Sequence, residues 1–261
     1  MASQPSANAL PIFYAGLEPL SSNTHGDYKA RQRDKAPQLA TTHAVPITVD
    51  EFVSVQRYFP IVFASGENPV PLALMGLNEG VNVFFDAEGA PLGETYIPAY
   101  IRRYPYMLAR LRPEAEELSL CFDPTSDMIG AFEDGDPLFE DGKPSETTNN
   151  ILKFCEEFEM SAQRTALFVK ELQEADLLMD GEVTIQPTGA EQPFVYRGFQ
   201  MVSEEKFREL RGDALRKMNQ SGLLALVMSH LFSLALMREI FGKQVQQNKG
   251  PQPIFPAAGN A

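Results

Sequence analysis

Apolar residues mark out most of the chain before any composition is considered. From Thr48 to Phe59, Phe52, Val55 and Phe59 recur every three or four positions, the spacing of one helix face. Thr48 or Asp50 is placed to cap this helix, and Pro60 stops it. Three short apolar runs follow, at Ile61 to Ala64, Pro71 to Leu77 and Val81 to Phe85. Asn78, Glu79 and Gly80 supply turn chemistry between the last two, so the runs predict adjacent antiparallel strands. Ile97 to Leu111 predicts a short helix entered at Pro98 and interrupted at Pro105, and Leu118 to Phe122 predicts a strand.

The strongest periodicity runs from Asn149 to Met179, where Ile151, Cys155, Phe158, Ala162, Thr165, Val169 and Leu172 define one helical stripe before Gly181. Val183 to Ile185 and Phe194 to Phe199 predict a hairpin, and Ser203 starts a helix whose Glu204 and Glu205 suit its positive end. Leu223 to Met237 is apolar and carries only His230 as a titratable group. It falls short of the roughly 20 residues of a spanning helix and predicts a buried one, in which Ser229, His230 and Ser233 need internal partners. Residues 1–45 lack sustained periodicity and predict an extended arm; residues 243–261 predict a disordered tail. The expected fold is α+β, with an antiparallel sheet packed with C-terminal helices in a single domain over residues 46–242.

Charge then narrows the partners. A formal net charge of -13 and a pI near 4.7 oppose non-specific binding to nucleic acid or an anionic membrane, leaving room only for a local basic patch. Ten acids between Glu114 and Asp141 face no Lys or Arg, which reads as a solvated acidic surface; the spacing of a calcium loop is absent. Cys121 and Cys155 lack metal or redox spacing and read as reduced core thiols. The first twenty residues lack the basic and apolar regions of a secretory signal, so the expectation is a soluble, cytoplasmic protein without an integral membrane segment.

Little in the chain points to chemistry. The G-x-S-x-G, G-x-x-x-x-G-K-[ST] and G-x-G-x-x-G patterns are all missing, and no cofactor is expected. Of the three histidines, His25 stands in a His-Gly-Asp triplet that supplies half of a non-haem iron triad, with His230 as an imagined distal ligand. His25 lies in an aperiodic segment and His230 in an apolar helix, so no metal site is expected. The most unusual composition is Tyr96 to Tyr106, where Arg102 and Arg103 are adjacent among four tyrosines. Arginine pairs bidentately with carboxylate or phosphate while stacking on aromatics. Tyr100, Arg102, Arg103 and Tyr104, with His230, are therefore the candidate ligand-binding residues. The competing readings are internal: Arg102 or Arg103 neutralising acids such as those between Glu114 and Asp141, and a His230 that satisfies a buried hydrogen bond. Adjacent helical residues point about 100° apart, so the two arginines are expected to divide, one holding structure and one presented outward.

Several ordered blocks carry a resemblance. YFPIVFAS (58–65), GLNEGVNVFFDAEG (76–89), YIPAYIRRYPYML (96–108), LFEDG (138–142), YRGFQMVSEEKFREL (196–210) and SGLLALVMSHLFSL (221–234) resemble, in order, blocks of the SapC-like family. That family takes its name from a gene beside S-layer protein genes and their secretion system. Its relatives resemble products encoded near TonB-dependent receptors, flavin-dependent halogenases and cupin-type hydroxylases. The resemblance implies a bacterial, cytosolic accessory or binding protein linked to envelope export or TonB-dependent uptake. Its partner would be a protein, a peptide or a small anionic ligand, with no nucleic acid. The alternative it leaves open is an enzyme of unrecognised class acting with the halogenase or hydroxylase neighbours.

Overall fold

The computed structural model describes residues 10–32, 35–112 and 117–252. Short helices and antiparallel strands are mixed along the chain, and the fold is α+β with helices gathered toward the C-terminus. Contacts group the chain into two compact units. One combines the residues up to Lys35 with Ala99–Ala162; the other combines Ala36–Pro98 with the residues from Gln163 onward. Of the acidic run, Glu114 and Glu116 lie outside the described residues, as do residues 1–9 of the expected arm.

In the first unit, Tyr106–Ala109 pairs with Ser119–Phe122, which also takes Glu18–Pro19 on its other edge. The expected helix over Ile97 to Leu111 is confined to Ala99–Arg102 and gives way to this strand after Pro105. Pro105 has no N–H to continue a helix, and its own carbonyl is instead bonded by the Asp123 N–H at 3.0 Å. Tyr106, Leu108 and Phe122 turn inward with Ile129, Leu138 and Cys155 to form the core of this unit. Lys29–Ala30, within the expected arm, lies between Ile129–Gly130 and Asp136–Pro137.

The second unit is built on a five-stranded antiparallel sheet in the order Leu178–Asp180, Phe199–Val202, Ile61–Ala64, Pro71–Leu74, Ala44–Pro46. Val62, Phe199 and Met237 form one buried cluster against it. The expected Thr48 helix is present as a 3-10 turn, Val49–Glu51, running into Phe52–Val55, with a reciprocal capping box between Thr48 and Glu51. The long helix spans Glu146–Glu174 rather than ending at Gly181. Ser145 Oγ accepts the Thr148 N–H at its start, and Asp176 at φ 52° turns the chain out at its end. Gly222, at φ 81°, makes the left-handed corner between the helices Gly212–Ser221 and Leu223–Ser233.

Residues 81–85 are not a strand. Asn82, fully buried, accepts the N–H groups of Phe84 and Phe85 on Oδ1 and donates from Nδ2 to the carbonyls of Leu39 and Thr42. A side chain that consumes two successive N–H groups removes the donors a ladder would need. The same loop is held from the C-terminal side. Gln244 Oε1 accepts the Leu77 N–H, Gln247 donates to the Val83 carbonyl and Lys249 Nζ donates to the Asn82 carbonyl at 2.6 Å. Residues 243–252 of the expected tail thus contain the end of the helix Leu236–Gln246 and these contacts. Residues 253–261 lie outside the described residues.

Asn82→Ala strands the N–H groups of Phe84 and Phe85 and removes a donor from the Leu39 and Thr42 carbonyls inside the second unit, the former keeping the Thr42 N–H. The variant is expected to lose roughly 3 kcal/mol or more, read as a lowered urea midpoint with unchanged slope. A midpoint within error of the parent protein's would show that the loop does not depend on this side chain.

Candidate functional site

The short helix Ala99–Arg102 sets the geometry of the arginine pair. Arg103 N–H closes the turn on the Ala99 carbonyl at 2.9 Å, so Arg102 and Arg103 leave the backbone in different directions. Arg102 is exposed and reaches over the Phe154 ring, its guanidinium 5.3 Å from the centroid. Arg103 is only 6% exposed. Its guanidinium lies over the rings of Phe158, at 4.2 Å, and Tyr100, at 4.7 Å, and its Nη1 is 3.5 Å from Glu159 Oε1. Its Nε, equally buried, has no hydrogen-bond acceptor among the described residues.

The tyrosines surround this cation without forming an open pocket. Tyr100 donates to the Ile12 carbonyl at 3.0 Å and Tyr14 to the Tyr106 carbonyl at 2.8 Å. Tyr104 is half-buried, packs edge-on against Tyr14 and directs its hydroxyl at Asp123 Oδ2, 3.5 Å away. Burial raises the phenol pKa of Tyr14, Tyr100 and Tyr104, and it outweighs the lowering effect of Arg103 on the first two. Burial also works to raise the Asp123 carboxyl. The N–H groups of Ala15 and Thr125 and the Thr125 hydroxyl overcome it and hold Asp123 below the ordinary carboxylate range. Glu159 shows the opposite balance: burial raises it despite the nearby Arg103, because the pair is separated by 3.5 Å rather than tightly bonded. Cys155, beside the cluster, is pushed up to about 12 by burial, so its thiol stays protonated and is a poor nucleophile at neutral pH.

His230 belongs to the second unit and is not brought to the arginines. Its Nδ1 donates to the Ile61 carbonyl at 2.8 Å, and its Nε2 accepts the Val202 N–H at 3.0 Å. Two further hydrogen bonds follow one turn on at Ser233, whose Oγ accepts the Ile61 N–H and donates to the His230 carbonyl. Both ring nitrogens are used by the backbone, which leaves no lone pair for a metal. His25 is likewise engaged, with Nε2 3.0 Å from Glu18 Oε1, Nδ1 accepting the Ser21 N–H, and its ring against Phe122. Among the described residues no three His, Cys, Asp or Glu side chains converge as metal ligands.

One open depression of about 430 Å³ is lined by Asp27, Tyr28, Lys29, Phe132 and Glu133. A second lies along Asp213, Arg216 and Lys217 on one helix. Neither includes Arg102 or Arg103. The residues that sequence reasoning did not assign to the arginine cluster are Tyr14, Asp123, Phe158 and Glu159. Phe158 stood in the helical stripe and Asp123 in the acidic run, but neither the pattern nor the run linked them to the arginines; Tyr14 and Glu159 were not singled out at all.

Comparison with known proteins gives one match, to the SapC family over residues 20–240. The chain belongs to the SapC family. Neither a curated protein nor a solved structure matches it. The match covers both units, so the arginine pair and the His230 helix both fall inside the region shared with other SapC proteins.

Replacing Arg103 with Ala removes two ring contacts and the partner of a partly buried carboxylate; the expected loss is about 2–4 kcal/mol. Arg102→Ala is expected to stay within about 0.5 kcal/mol of the parent protein. Thermal melts of the two variants test the division directly, and equal shifts would refute it.

His230 also predicts a pH dependence. Burial lowers its pKa from 6.5 to about 4, so between these values the unfolded chain binds a proton that the folded chain does not. Its contribution to stability is therefore present above about pH 6.5 and is lost as pH falls toward 4, by about 3 kcal/mol in total. Urea denaturation at successive pH values should show this slope. His230→Asn should be less stable at pH 7 yet lack that part of it, whereas an unchanged slope would assign the acid sensitivity elsewhere.

Proposed function

We propose that this SapC protein is a cytoplasmic accessory protein of envelope export or TonB-dependent uptake systems, and that it engages a protein or peptide partner at the surface carrying Arg102. The observation that supports this reading is the different fate of the two adjacent arginines. Arg103 is committed to Phe158, Tyr100 and Glu159 inside its unit, whereas Arg102 is exposed and lies over the Phe154 ring. An exposed guanidinium flanked by aromatic carbon is suited to a carboxylate on a broad partner surface. A small anion would call for an enclosed site with several convergent donors. Neither of the two depressions contains this arginine. The link to envelope systems comes from the family resemblance.

Immobilised full-length protein, exposed to lysate from cells that carry the surrounding genes, should retain a specific protein that Arg102→Glu no longer retains. The charge reversal should leave the melting temperature unchanged. A retained set that is identical for parent and variant would remove Arg102 from the interface.

A further inference from the structure

The helix Leu223–Ser233 inverts the usual arrangement of a surface helix. Its polar residues face inward: Ser229, His230 and Ser233 are all buried, the last two bonded to the strands Ile61–Ala64 and Phe199–Val202. Its outward residues are hydrocarbon. Phe232, at 65%, is the most exposed large apolar side chain among the described residues. Ala225 and Ala235 are exposed with it, and Leu224, Met228 and Leu231 are half-buried. A soluble helix normally shows polar residues to water and keeps apolar ones within. Here no polar or charged side chain interrupts the outer face from Leu223 to Met237.

The charge around this face differs from that of the chain as a whole. From Gly212 to Gln246 four basic residues stand against two acidic ones, whereas the complete protein carries a net charge of -13. The basic residues bracket the apolar stretch in sequence, with Arg216 and Lys217 before it and Arg238 immediately after Met237. Upstream cations are neutralised: Lys206 pairs with Asp176, Arg208 with Glu204 and Arg211 with Asp213. Arg216, Lys217 and Arg238 are exposed and make no ion pair among the described residues.

We infer that this face docks the protein on an anionic lipid surface, with Phe232 and its apolar neighbours entering the headgroup boundary and Arg216, Lys217 and Arg238 facing lipid phosphates. The helical stretch Leu223–Gln246 is long and apolar enough, by length and composition alone, to cross a membrane. Crossing the bilayer would break the bonds of His230 and Ser233 to the sheet and draw Arg238, Glu239 and Lys243 into hydrocarbon. Lying in the interface keeps those bonds and uses the outer face alone. The unpaired cations favour a lipid phosphate surface over an apolar groove on a protein, and they also explain how so acidic a chain would approach one. Arg102 belongs to the other unit and Phe232, Arg216 and Lys217 to this one, so separate substitutions test protein partnership and lipid docking.

Sedimentation of the full-length protein with vesicles tests the inference. Binding is expected to vesicles of phosphatidylcholine with about 30% phosphatidylglycerol, and to be at least about tenfold weaker to phosphatidylcholine alone. Raising salt from about 0.02 M to about 0.3 M should release most of the bound protein. Phe232→Ser and the double change Arg216→Glu with Lys217→Glu should each weaken binding about tenfold without lowering the melting temperature, and Arg102→Glu should leave it unchanged. Three results would overturn the proposal. These are absence of sedimentation at low salt, protein that resists carbonate extraction, and concentration-dependent dimerisation that Phe232→Ser abolishes while vesicle binding stays undetectable.

Discussion

Ile61 donates its N–H to Ser233, a residue 172 positions later, and its carbonyl accepts from His230 on the same helix. The neighbouring strand Phe199–Val202 pairs with Ile61–Ala64 only at Phe199–Ala64 and Gln200–Phe63, so it does not reach Ile61. The histidine and serine take over where that ladder stops, and the other ring nitrogen accepts the Val202 N–H. Three backbone groups in the sheet interior are satisfied by two side chains of one helix turn. Leaving such groups unpaired would be far more damaging than the modest gain from forming the bonds. The helix must therefore present this edge to the sheet, and the side chains of the opposite face, Phe232 among them, go outward. The exposed Phe232 follows from the buried His230.

The first unit resolves a comparable conflict at Arg103. A guanidinium placed inside must recover part of its hydration energy from its surroundings, and a single carboxylate at 3.5 Å recovers little. Two aromatic faces supply the remainder, which accounts for the concentration of tyrosine and phenylalanine at this point in the chain. Arg102 needs no such shell because it keeps contact with water. One dipeptide thus contains a structural cation and a surface cation, separated by a single backbone step.

Much of this was legible in the sequence because it depended on local rules. The strands at Ile61 and Pro71, the Ser203 cap and the long helix through Cys155 follow from periodicity and from capping residues, as does the hairpin of Val183–Ile185, although its second strand stops at Tyr196 and Phe199 opens a strand of the larger sheet instead. The need for internal partners at Ser229, His230 and Ser233 and the outward-inward split of the arginines were also local deductions. What was not legible depended on distant contacts. Val81 to Phe85 alternates like a strand, but the Asn82 amide chooses the loop through bonds to Leu39 and Thr42. Gln244, Gln247 and Lys249 read as a polar tail until their partners at Leu77 and Asn82 are seen. What the apolar stretch did not indicate is that its opposite face, with Phe232, would be left exposed.

The contacts of Gln244, Gln247 and Lys249 also impose an order of events during synthesis. The loop after the strand Pro71–Leu74 emerges from the ribosome early, yet the groups that hold it lie some 167 residues downstream. Domains tend to fold as they emerge, N-terminal parts first. In this protein the second unit begins before the first is made and cannot close until translation has passed Lys249. Residues 76–85 therefore wait for the side chains that bond them while residues 99–162 of the other unit are synthesised, and it is during that interval that a chaperone would find its substrate.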